Sequence, residues 1–376
     1  MPNLNDFASK KLSKIKENGL LRTLHTTKRT DGVHLVRDGK TYISFTCNDY
    51  LGLSHHPKVK CAAIAAIKKY GAGAGASRLV TGSHPLYAML ESQLSRMKHT
   101  EAALVFGSGY LANIGTIPAL ISKGDLIIAD KFIHACMVDA AQLSGATWLR
   151  FPHNNIEKCE KLLVTHRPKY KNCLILTETI FSMDGDHAPI EKLLALAEEH
   201  DAWLLSDDAH GLGVVSSSAF SHERHIQLGT LSKSIGAYGG YVCASQPVID
   251  LLINTARSAI FTTGLPPATI ASASAALNLL EESPEMMAIP LERARLFTQL
   301  VGLPEAESAI VPYIIGDNQQ ALSMAKALEA QGFLVSAIRP PTVPNGTARL
   351  RFTFSALHTE TQVQHLAEAV NQLTQK

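Results

Sequence analysis

The middle of this 376-residue chain alternates short apolar runs with segments of helical periodicity. Helical segments such as Leu111–Ile121 and Ile190–His200 separate neighbouring runs. Strands that alternate with helices form βαβ units, in which helices cover both faces of a mainly parallel sheet. The pattern therefore predicts an α/β fold. The predicted strands are Ala102–Phe106, Leu126–Ala129, Thr147–Phe151, Cys173–Thr177, Ala202–Ser206 and Tyr241–Ala244.

The two ends of the chain follow other patterns. Near the start, an amphipathic helix leads to a hairpin, which is indicated by the Asp38-Gly39 turn between two apolar stretches. Near the end, short strands alternate with helices, and Thr359 with Gln362 forms a capping box for a final helix. We predict a helix and hairpin segment over residues 1–45, a large domain over 46–283 and a small α+β domain over 284–376.

Further elements are predicted outside the alternating core. The predicted helices are Pro57–Tyr70, one that runs from Pro267 toward Leu280, and one from about Asn318 to Gln331. The predicted strands are Ala309–Ile315, Phe333–Ile338 and Ala348–Phe354. The segment Ser216–His225 is rich in serine and histidine, which predicts a loop.

Composition excludes several classes of function. A formal net charge of +2 gives no field that would attract nucleic acid. No apolar run reaches the roughly eighteen residues that a membrane-spanning helix needs, and residues 1–20 lack the apolar core of a signal peptide. Six cysteines are scattered without a C-x-x-C pair, which argues against a metal site and against a disulfide scaffold. We expect a cytoplasmic protein that binds no metal, nucleic acid or membrane.

Polar residues follow several of the predicted strands. Glu178 comes directly after one strand, Asp207 and His210 come after another, and His134 lies shortly after a third. Lys233 lies just upstream of the last strand. Ligands of open α/β sheets gather at the carboxyl ends of the strands. Each position alone is weak evidence, but their convergence indicates one site.

Lys233 stands between hydroxyl residues and ahead of three glycines, in the stretch T-L-S-K-S-I-G-A-Y-G-G at 230–240. Glycines allow a tight turn and a close approach to a ligand. A lysine that such a turn shields from water has a lowered pKa and can form a Schiff base with an aldehyde. Most lysines in glycine-rich loops are simply solvated, so this interpretation depends on the rest of the site.

A second turn, Gly107-Ser108-Gly109, connects a predicted strand to a predicted helix. Free amide N–H groups and the positive end of the helix dipole would face a phosphate there. Such a turn is also a common tight connection. Its spacing is not that of a dinucleotide-binding motif, because G-x-G-x-x-G fails at Ala112, and no Walker G-K-[ST] follows.

Taken in order, the motifs strongly resemble those of the α-oxoamine synthases, which are fold-type I enzymes dependent on pyridoxal 5′-phosphate (PLP). The motifs are N-D-Y-L-G-L-S at 48–54, G-S-G-Y at 107–110, E-T-x-F-S-M-D-G-D at 178–186, D-D-A-H-G at 207–211 and T-L-S-K-S-x-G at 230–236. The resemblance covers nearly the whole chain. It implies a large domain with a mainly parallel seven-stranded sheet between helices, plus a small C-terminal α+β domain.

The resemblance also implies roles for the residues of the predicted site. Lys233 would bind PLP covalently and later move the substrate Cα proton, and Asp207 would face the pyridine nitrogen. His134 would stack on the ring, His210 would reach the phenolic oxygen, and these two would join the lysine and the aspartate as catalytic residues. For Asp208, a turn-forming role is preferred. Further cofactor contacts would come from Gly109, Tyr110, Ser182, Thr230 and Thr263.

The substrates implied are those of one family member. The stretch A-I-R-P-P-T-V-P-N-G-T-A-R-L-R at 337–351 resembles the member that joins L-alanine to a pimeloyl thioester with loss of CO2. Arg339 would pair with the amino-acid carboxylate. Pimeloyl-CoA and a pimeloyl carrier protein both stay open as the acyl donor. Arg22 and Thr342 would line the acyl site, and Asn48, His134 and Glu178 would also contact substrate.

The family resemblance implies a homodimer with its active sites at the subunit boundary. Phe261-Thr-Thr-Gly264 resembles the segment that donates a hydroxyl group to the neighbouring subunit's phosphate. Thr263 is favoured for this role, although the sequence does not separate it from Thr262.

Two other functions remain open. One is a relative that uses glycine and a shorter acyl-CoA, as glycine C-acetyltransferase does. The other is a protein of the same fold that is retained for assembly without turnover. The combination of lysine, aspartate and histidine argues against the second, because a scaffold has no need of all three.

Overall fold

The predicted alternation of strands and helices is confirmed by a computed structural model, which describes residues 3–17, 20–214 and 222–374. The strands are β1 Lys28–Arg29, β2 His34–Arg37, β3 Lys40–Ser44, β4 Ala102–Phe106, β5 Leu126–Asp130, β6 Thr147–Phe151, β7 Cys173–Glu178, β8 Trp203–Asp207, β9 His225–Thr230, β10 Gly240–Ala244, β11 Ile310–Gly316, β12 Phe333–Leu334, β13 Ser336–Ile338 and β14 Ala348–Thr353. The helices are α1 Leu4–Glu17, α2 Pro57–Tyr70, α3 Leu86–Met97, α4 Gly109–Leu120, α5 Ala135–Ser144, α6 Ile156–His166, α7 Ile190–Glu199, α8 Gln246–Thr255, α9 Arg257–Ile260, α10 Pro267–Glu282, α11 Ile289–Val301, α12 Asn318–Ala330 and α13 Glu360–Thr374.

A seven-stranded sheet organises the large part of the molecule, in the order β4-β10-β9-β8-β7-β5-β6. Strand β10 is antiparallel to both of its neighbours, and the other pairs are parallel, so the prediction of a mainly parallel sheet is confirmed. Parallel strands end at the same edge. Glu178 of β7 therefore pairs in register with Asp207 of β8, which brings two carboxylates side by side.

The two faces of this sheet pack against different helices. Val105 and Tyr241 face a core completed by α2, α3 and α10, whereas Leu104 and Val242 face a core completed by α4, α5 and α8. Successive residues of a strand point to opposite faces, so the continuous apolar runs follow from burial on both sides.

Strand β9 was not predicted, and the prediction that His225 belongs to a loop was wrong. Residues 216–221 of that predicted loop lie outside the described part of the chain. The strand is fully buried although it alternates apolar with polar residues, because its polar side chains find partners inside the protein. The His225 Nε2 lies 2.8 Å from the Ser206 hydroxyl, and the Gln227 amide donates to the Lys98 carbonyl at 3.1 Å.

The C-terminal part forms its own layer. The antiparallel sheet β11-β14-β13 packs against α11, α12 and α13, with Phe297, Phe352 and Phe354 in its core. Thr359 and Gln362 exchange the two hydrogen bonds of the predicted capping box.

The predicted single strand Phe333–Ile338 is divided between two sheets. Its first half, β12, pairs with β3 of the N-terminal hairpin, and its second half, β13, pairs with β14. Phe45, which follows β3, stacks on His358 with 4.1 Å between ring centroids. The N-terminal hairpin is thus packed onto the C-terminal layer, while the predicted domain boundaries stay a prediction.

Within the described ranges, no helix is both long enough and apolar enough to cross a lipid bilayer.

Candidate active site

A cavity of about 260 Å³ opens at the carboxyl ends of the parallel strands. It collects most of the polar residues that follow those strands in the sequence. The residues of the predicted site that line it are Gly109, Tyr110, His134, Glu178, Asp207, His210, Thr230 and Lys233. We call it the lysine cavity.

Lys233 occupies a tight turn after β9. The Gly236 amide donates to the Lys233 carbonyl at 2.9 Å, and Gly236 has a left-handed φ of 65°. A side chain at position 236 would lie 2.2 Å from the Ser54 amide nitrogen, so this close approach requires glycine. Burial lowers the pKa of the Lys233 amine, and the carboxylates of Asp207 and Glu178 oppose that shift. The predicted desolvated lysine is therefore present.

A hydrogen-bonded chain leads away from this amine. The Lys233 Nζ lies 2.7 Å from Nε2 of His210, whose Nδ1 lies 2.7 Å from the Tyr50 hydroxyl. The Tyr50 hydroxyl donates to the Asn48 side-chain oxygen at 3.2 Å, so it accepts from His210. This pattern places the imidazole proton on Nδ1 and leaves Nε2 free to accept from Lys233. Burial and the Lys233 charge hold the pKa of His210 well below its usual value, so the ring is neutral.

The same chain ends at a buried guanidinium. The two terminal nitrogens of Arg351 donate to the Asn48 side-chain oxygen at 3.3 and 3.4 Å. The Arg351 charge also lowers the pKa values of Lys233 and His210, which places it close to the lysine cavity. The sequence prediction missed both Tyr50 and Arg351. Tyr50 stood in the N-D-Y-L-G-L-S motif and Arg351 in the C-terminal motif, and burial of these positions was the missing information.

Asp207 lies fully enclosed at the end of β8. Asn113 of α4 donates to one carboxylate oxygen at 2.8 Å, and the Ala209 amide donates to the other at 3.0 Å. Burial raises the pKa of Asp207, and the Asn113 hydrogen bond and the Lys233 charge oppose the rise. Asn113 was not predicted, although it lies one helical turn after Gly109, whose carbonyl also accepts from its side chain.

Glu178 is the least compensated carboxylate of the cavity. Burial, together with the nearby Asp207 charge, raises its pKa to about 8. Its Oε1 atom is buried without a hydrogen-bond partner among the described residues. Backbone N–H groups of His134 and Ser182 oppose the pKa rise. A buried acceptor without a partner is costly in a purely structural site, so Glu178 is better explained by a bound group.

Asp208 has a different environment from its neighbour. Its carboxylate forms a buried ion pair with Lys98 and accepts a hydrogen bond from the Thr179 hydroxyl at 2.5 Å. The preferred turn-forming role for Asp208 is confirmed by its backbone, because the Gly211 amide donates to the Asp208 carbonyl at 3.1 Å. The ion pair of its side chain was not predicted, since the contact with Lys98 crosses 110 positions of sequence.

His134 precedes α5 and caps it. The Cys136 amide donates to Nδ1 of His134 at 3.2 Å, so the remaining ring nitrogen, Nε2, carries the proton of the neutral ring. Partial desolvation by the cavity walls lowers the pKa of His134. The imidazole is exposed to the cavity.

The opposite wall is the start of α4. Ser108 caps this helix by accepting from the Leu111 amide at 3.1 Å. A side chain at Gly109 would approach Thr230 to 3.2 Å, so glycine lets the helix start lie against the end of β9. The Thr230 hydroxyl is held by the Gly239 carbonyl at 2.9 Å, and the Tyr110 hydroxyl donates to Asp139 at 2.5 Å. The helix N-terminus is a ready site for an anion.

This set of groups fits PLP. PLP carries an aldehyde, a basic ring nitrogen and a phosphate. The lysine cavity offers an amine of lowered pKa at Lys233, a buried carboxylate at Asp207 and the N-terminus of α4 at Gly109.

Other predicted residues lie outside the lysine cavity. Ser182 and Thr342 line a second cavity of about 330 Å³, together with Phe132 and Phe181. Arg22 and Arg339 line a third cavity of about 210 Å³, where Thr342 is again present. The structure thus places Arg339 beside Arg22 and Thr342, in a different cavity from Lys233.

The favoured threonine of the Phe261–Gly264 segment is also outside the lysine cavity. Thr263 is exposed and forms an isolated bridge with Ser77. Thr262 is half-buried, and its methyl group lies 3.8 Å from the position that a side chain on Gly107 would occupy.

Comparison with known proteins gives consistent results. The family model described as aminotransferase class I and II matches residues 40–370. The chain is 55% identical to the 8-amino-7-oxononanoate synthase of Methylobacterium nodulans over 99% of this chain and 97% of that protein. It is 52% identical to the enzyme of the same name from Beijerinckia indica, with 98% of each chain covered.

Solved structures have the same fold. A serine palmitoyltransferase from S. paucimobilis with a bound PLP-myriocin aldimine superposes with a TM-score of 0.92 at 30% identity, covering 100% of this chain and 99% of that one. An 8-amino-7-oxononanoate synthase from Francisella tularensis superposes with a TM-score of 0.76 at 27% identity, covering 89% of this chain and 98% of that one.

Proposed function

The chain belongs to the class I and II aminotransferase family and, within it, to the 8-amino-7-oxononanoate synthases, and from this membership we propose that it condenses L-alanine with a pimeloyl thioester. It is a PLP-dependent acyltransferase of biotin biosynthesis. The observation that carries the proposal is the contact of a buried lysine amine of lowered pKa with a neutral histidine, in a cavity that also holds a buried aspartate.

When bound, PLP supplies an aldehyde for a covalent link and a ring that accepts electrons from the substrate Cα. Lys233 would hold the aldehyde, and Asp207 would lie against the ring nitrogen and keep it protonated. His134 would cover one face of the ring, and His210 would lie beside Lys233 at the phenolic oxygen. Ser182 would also reach that oxygen, on the strength of the family resemblance. Gly109, Tyr110 and Thr230 would surround the phosphate at the start of α4.

The amino-acid carboxylate would bind to Arg351. This residue, more than Arg339, has the required surroundings, because it is buried beside Asn48 and its charge acts on Lys233. A buried guanidinium that faces a site offers a paired contact to a carboxylate. Glu178 would lie near the bound amino acid. Arg22, Arg339 and Thr342 line the third cavity, and Thr342 also lines the second, which supports a role for both cavities in binding the acyl donor.

Lys233 is the protein group that moves the proton of the alanine Cα. Lys233 accepts the proton from the alanine Cα, once deprotonated itself, because burial lowers its pKa and so favours the free amine. A bond forms between this Cα and the thioester carbonyl carbon, and the carbon–sulfur bond breaks to release the thiol. The bond to the alanine carboxylate then breaks, CO2 leaves, and Lys233 returns a proton to the Cα to give 8-amino-7-oxononanoate.

The proposal includes a homodimer in the cytoplasm. The exposed Thr263 lies outside its own subunit's lysine cavity, which supports a contact with the phosphate of a neighbouring subunit. Light scattering of the PLP-loaded protein tests this arrangement, and a monomer that turns over at full rate would contradict it.

The test is a substrate comparison on the PLP-loaded protein. L-Alanine with pimeloyl-CoA or a pimeloyl carrier protein is expected to release CO2 and free thiol in equal amounts, whereas glycine with acetyl-CoA gives much less product. To test the binding of the amino acid, Arg351→Ala is expected to raise the KM for alanine about tenfold to a hundredfold. Arg339→Ala should raise the KM for the acyl donor instead. Equal turnover of glycine and acetyl-CoA would assign the chain to the glycine-using relatives.

A further inference from the structure

A histidine outside the lysine cavity joins three segments at the edge of the sheet. His153 follows β6, and its Nδ1 lies 3.1 Å from Asp130, the last residue of β5. Its Nε2 lies 2.8 Å from Asp186, in the loop that follows β7. Both ring nitrogens therefore face carboxylate oxygens, and only the doubly protonated imidazolium can donate to both.

The next residue strengthens this junction. Asn154 adopts a left-handed φ of 53°, which asparagine tolerates better than most residues. Its amide nitrogen donates to Asp130 at 2.8 Å, and its side chain donates to Asp186 at 2.9 Å. We call His153 and Asn154 the clip. The two carboxylates raise the pKa of His153 to about 10 against the opposing effect of burial, so the clip is cationic at neutral pH.

The clip contacts two aromatic rings. Phe132 stacks on the His153 ring with centroids 4.6 Å apart, and Phe181 meets it edge-on at 4.3 Å. Both belong to the segments that the clip ties together, since the Phe132 amide donates to Asp130 and the Phe181 amide donates to the Asp186 carbonyl. Both rings also line the second cavity, with Ser182 and Thr342.

The loop after β7 is fixed from its other side as well. Arg349 donates to Asp184 at 2.6 Å, and the Ser308 hydroxyl donates to the Gly185 carbonyl at 2.7 Å. These contacts tie the loop to the C-terminal layer but do not reach Phe132. The clip contacts both rings and thus relates Phe181 to Phe132 across the cavity wall.

We propose that His153 is a positioning residue, which holds Phe132 and Phe181 as the apolar wall of the second cavity and thereby sets the binding of the acyl chain. The identification of this cavity with the acyl site rests on the proposed function. A wall of two fixed aromatic rings suits a methylene chain, because apolar contact without mobile side chains loses little entropy on binding.

The experiment measures pimeloyl-CoA binding to the PLP-loaded protein by isothermal titration calorimetry. His153→Gln is expected to raise the Kd about tenfold or more, because a small displacement of the wall spoils the fit. The affinity for L-alanine, read from the cofactor absorbance, should stay within about twofold of wild type, since alanine binds at Lys233. His187→Gln is the matched control, because the His187 ring lies on the same loop and contacts the Glu307 carbonyl, whereas only its backbone carbonyl meets the clip, at the Asn154 side chain.

Two further measurements keep the proposal open to refutation. If His153→Gln does not fold, Asp186→Asn removes one charge with little change in shape and should give the same selective loss. Nitrogen-15 NMR should show both His153 ring nitrogens protonated at pH 8, independently of any substrate. An unchanged Kd for pimeloyl-CoA, or an equal loss of alanine affinity, overturns the positioning role. A wild-type protein that binds no pimeloyl-CoA overturns the proposed function, while the NMR result still reports on the clip.

Discussion

Two lysine–aspartate arrangements share consecutive aspartates, Asp207 and Asp208, and they differ in almost every physical respect. Lys233 shares a cavity with Asp207, and its amine contacts a neutral histidine. Lys98 is paired directly with Asp208, and the two side chains are only 1% and 6% exposed. The first arrangement leaves reactive groups facing open space, whereas the second closes its charges on each other.

The difference shows what separates a reactive pair from a structural one. A buried ion pair whose remaining oxygen is also bonded, as Asp208 is to Thr179, has its charge balanced inside the protein without a ligand. In the lysine cavity, burial lowers the pKa of Lys233 and raises that of Asp207, so neither charge is fully stabilised by the protein alone. Perturbed groups of this kind cluster at functional sites.

The substitution Lys233→Ala should have the largest effect among the tests of this contrast between a reactive and a structural lysine. Turnover should fall on the order of ten-thousandfold, and borohydride should no longer fix the cofactor to the chain. The urea midpoint of the cofactor-free protein should change little, because the removed amine was poorly stabilised where it lay. Peptide mass analysis after borohydride treatment measures the link. A variant that still binds PLP covalently would contradict the assignment of Lys233.

The opposite pattern is expected for Lys98→Met. Removal of the ammonium leaves Asp208 buried without its counter-charge, which should lower the free energy of unfolding by about 3–5 kcal/mol. Covalent loading of the cofactor should persist in the protein that remains folded. Urea denaturation measures the loss, and Lys98→Met combined with Asp208→Asn should recover most of it.

A matched control for Lys98 is available on the surface. Lys58 pairs with Glu282 at 2.7 Å, but the two side chains are 63% and 56% exposed. Lys58→Met should therefore change the free energy of unfolding by less than about 1 kcal/mol. Equal losses for the buried and the exposed lysine would remove the distinction between the two arrangements.

Sequence alone predicted most of the sheet and most of the lysine cavity, because the ends of strands follow from local patterns. Apolar runs locate strands, and parallel strands bring their ends to one edge, so Glu178 and Asp207 meet without further information. Lys233 follows the unpredicted strand β9, so its place in the site was predicted from its glycine-rich turn and the family resemblance. The buried strand β9 escaped because its alternate residues are polar and are paired only through tertiary contacts.

Two arginines show the same limit of prediction from local sequence within the site. Arg339 and Arg351 stand in one motif, and nothing local separates a guanidinium that lines an outer cavity from one buried beside Asn48. The position of Lys98 against Asp208 likewise depends on packing between segments far apart in the chain. Composition and spacing describe what a segment can do, whereas partners decide what each charged group does.

The smallest expected effect concerns Glu178, whose negative charge is removed by a bound proton instead of being balanced by a cation. The pKa of Glu178 rises from 4.5 to about 8 on burial beside Asp207. Between pH 4.5 and about pH 8, the folded protein therefore keeps the proton of Glu178, whereas the unfolded chain releases it. The stabilisation is complete below the unfolded pKa and is lost as the pH rises through the folded pKa. Stability of the cofactor-free protein should fall between about pH 5 and pH 8 for this reason.

Glu178→Gln isolates this contribution, because the amide stays neutral at every pH. The fall in melting temperature from about pH 5 to pH 8 should become shallower than in wild type. Glu199→Gln, an exposed change on α7, should leave the slope as it is. A slope unchanged in Glu178→Gln would mean that Glu178 is ionised in the folded protein and is compensated as Asp208 is, by a cation. The neutral carboxyl is what sets Glu178 apart: Asp208 is paired with the Lys98 ammonium, whereas Glu178 can still gain or lose a proton beside the reacting lysine.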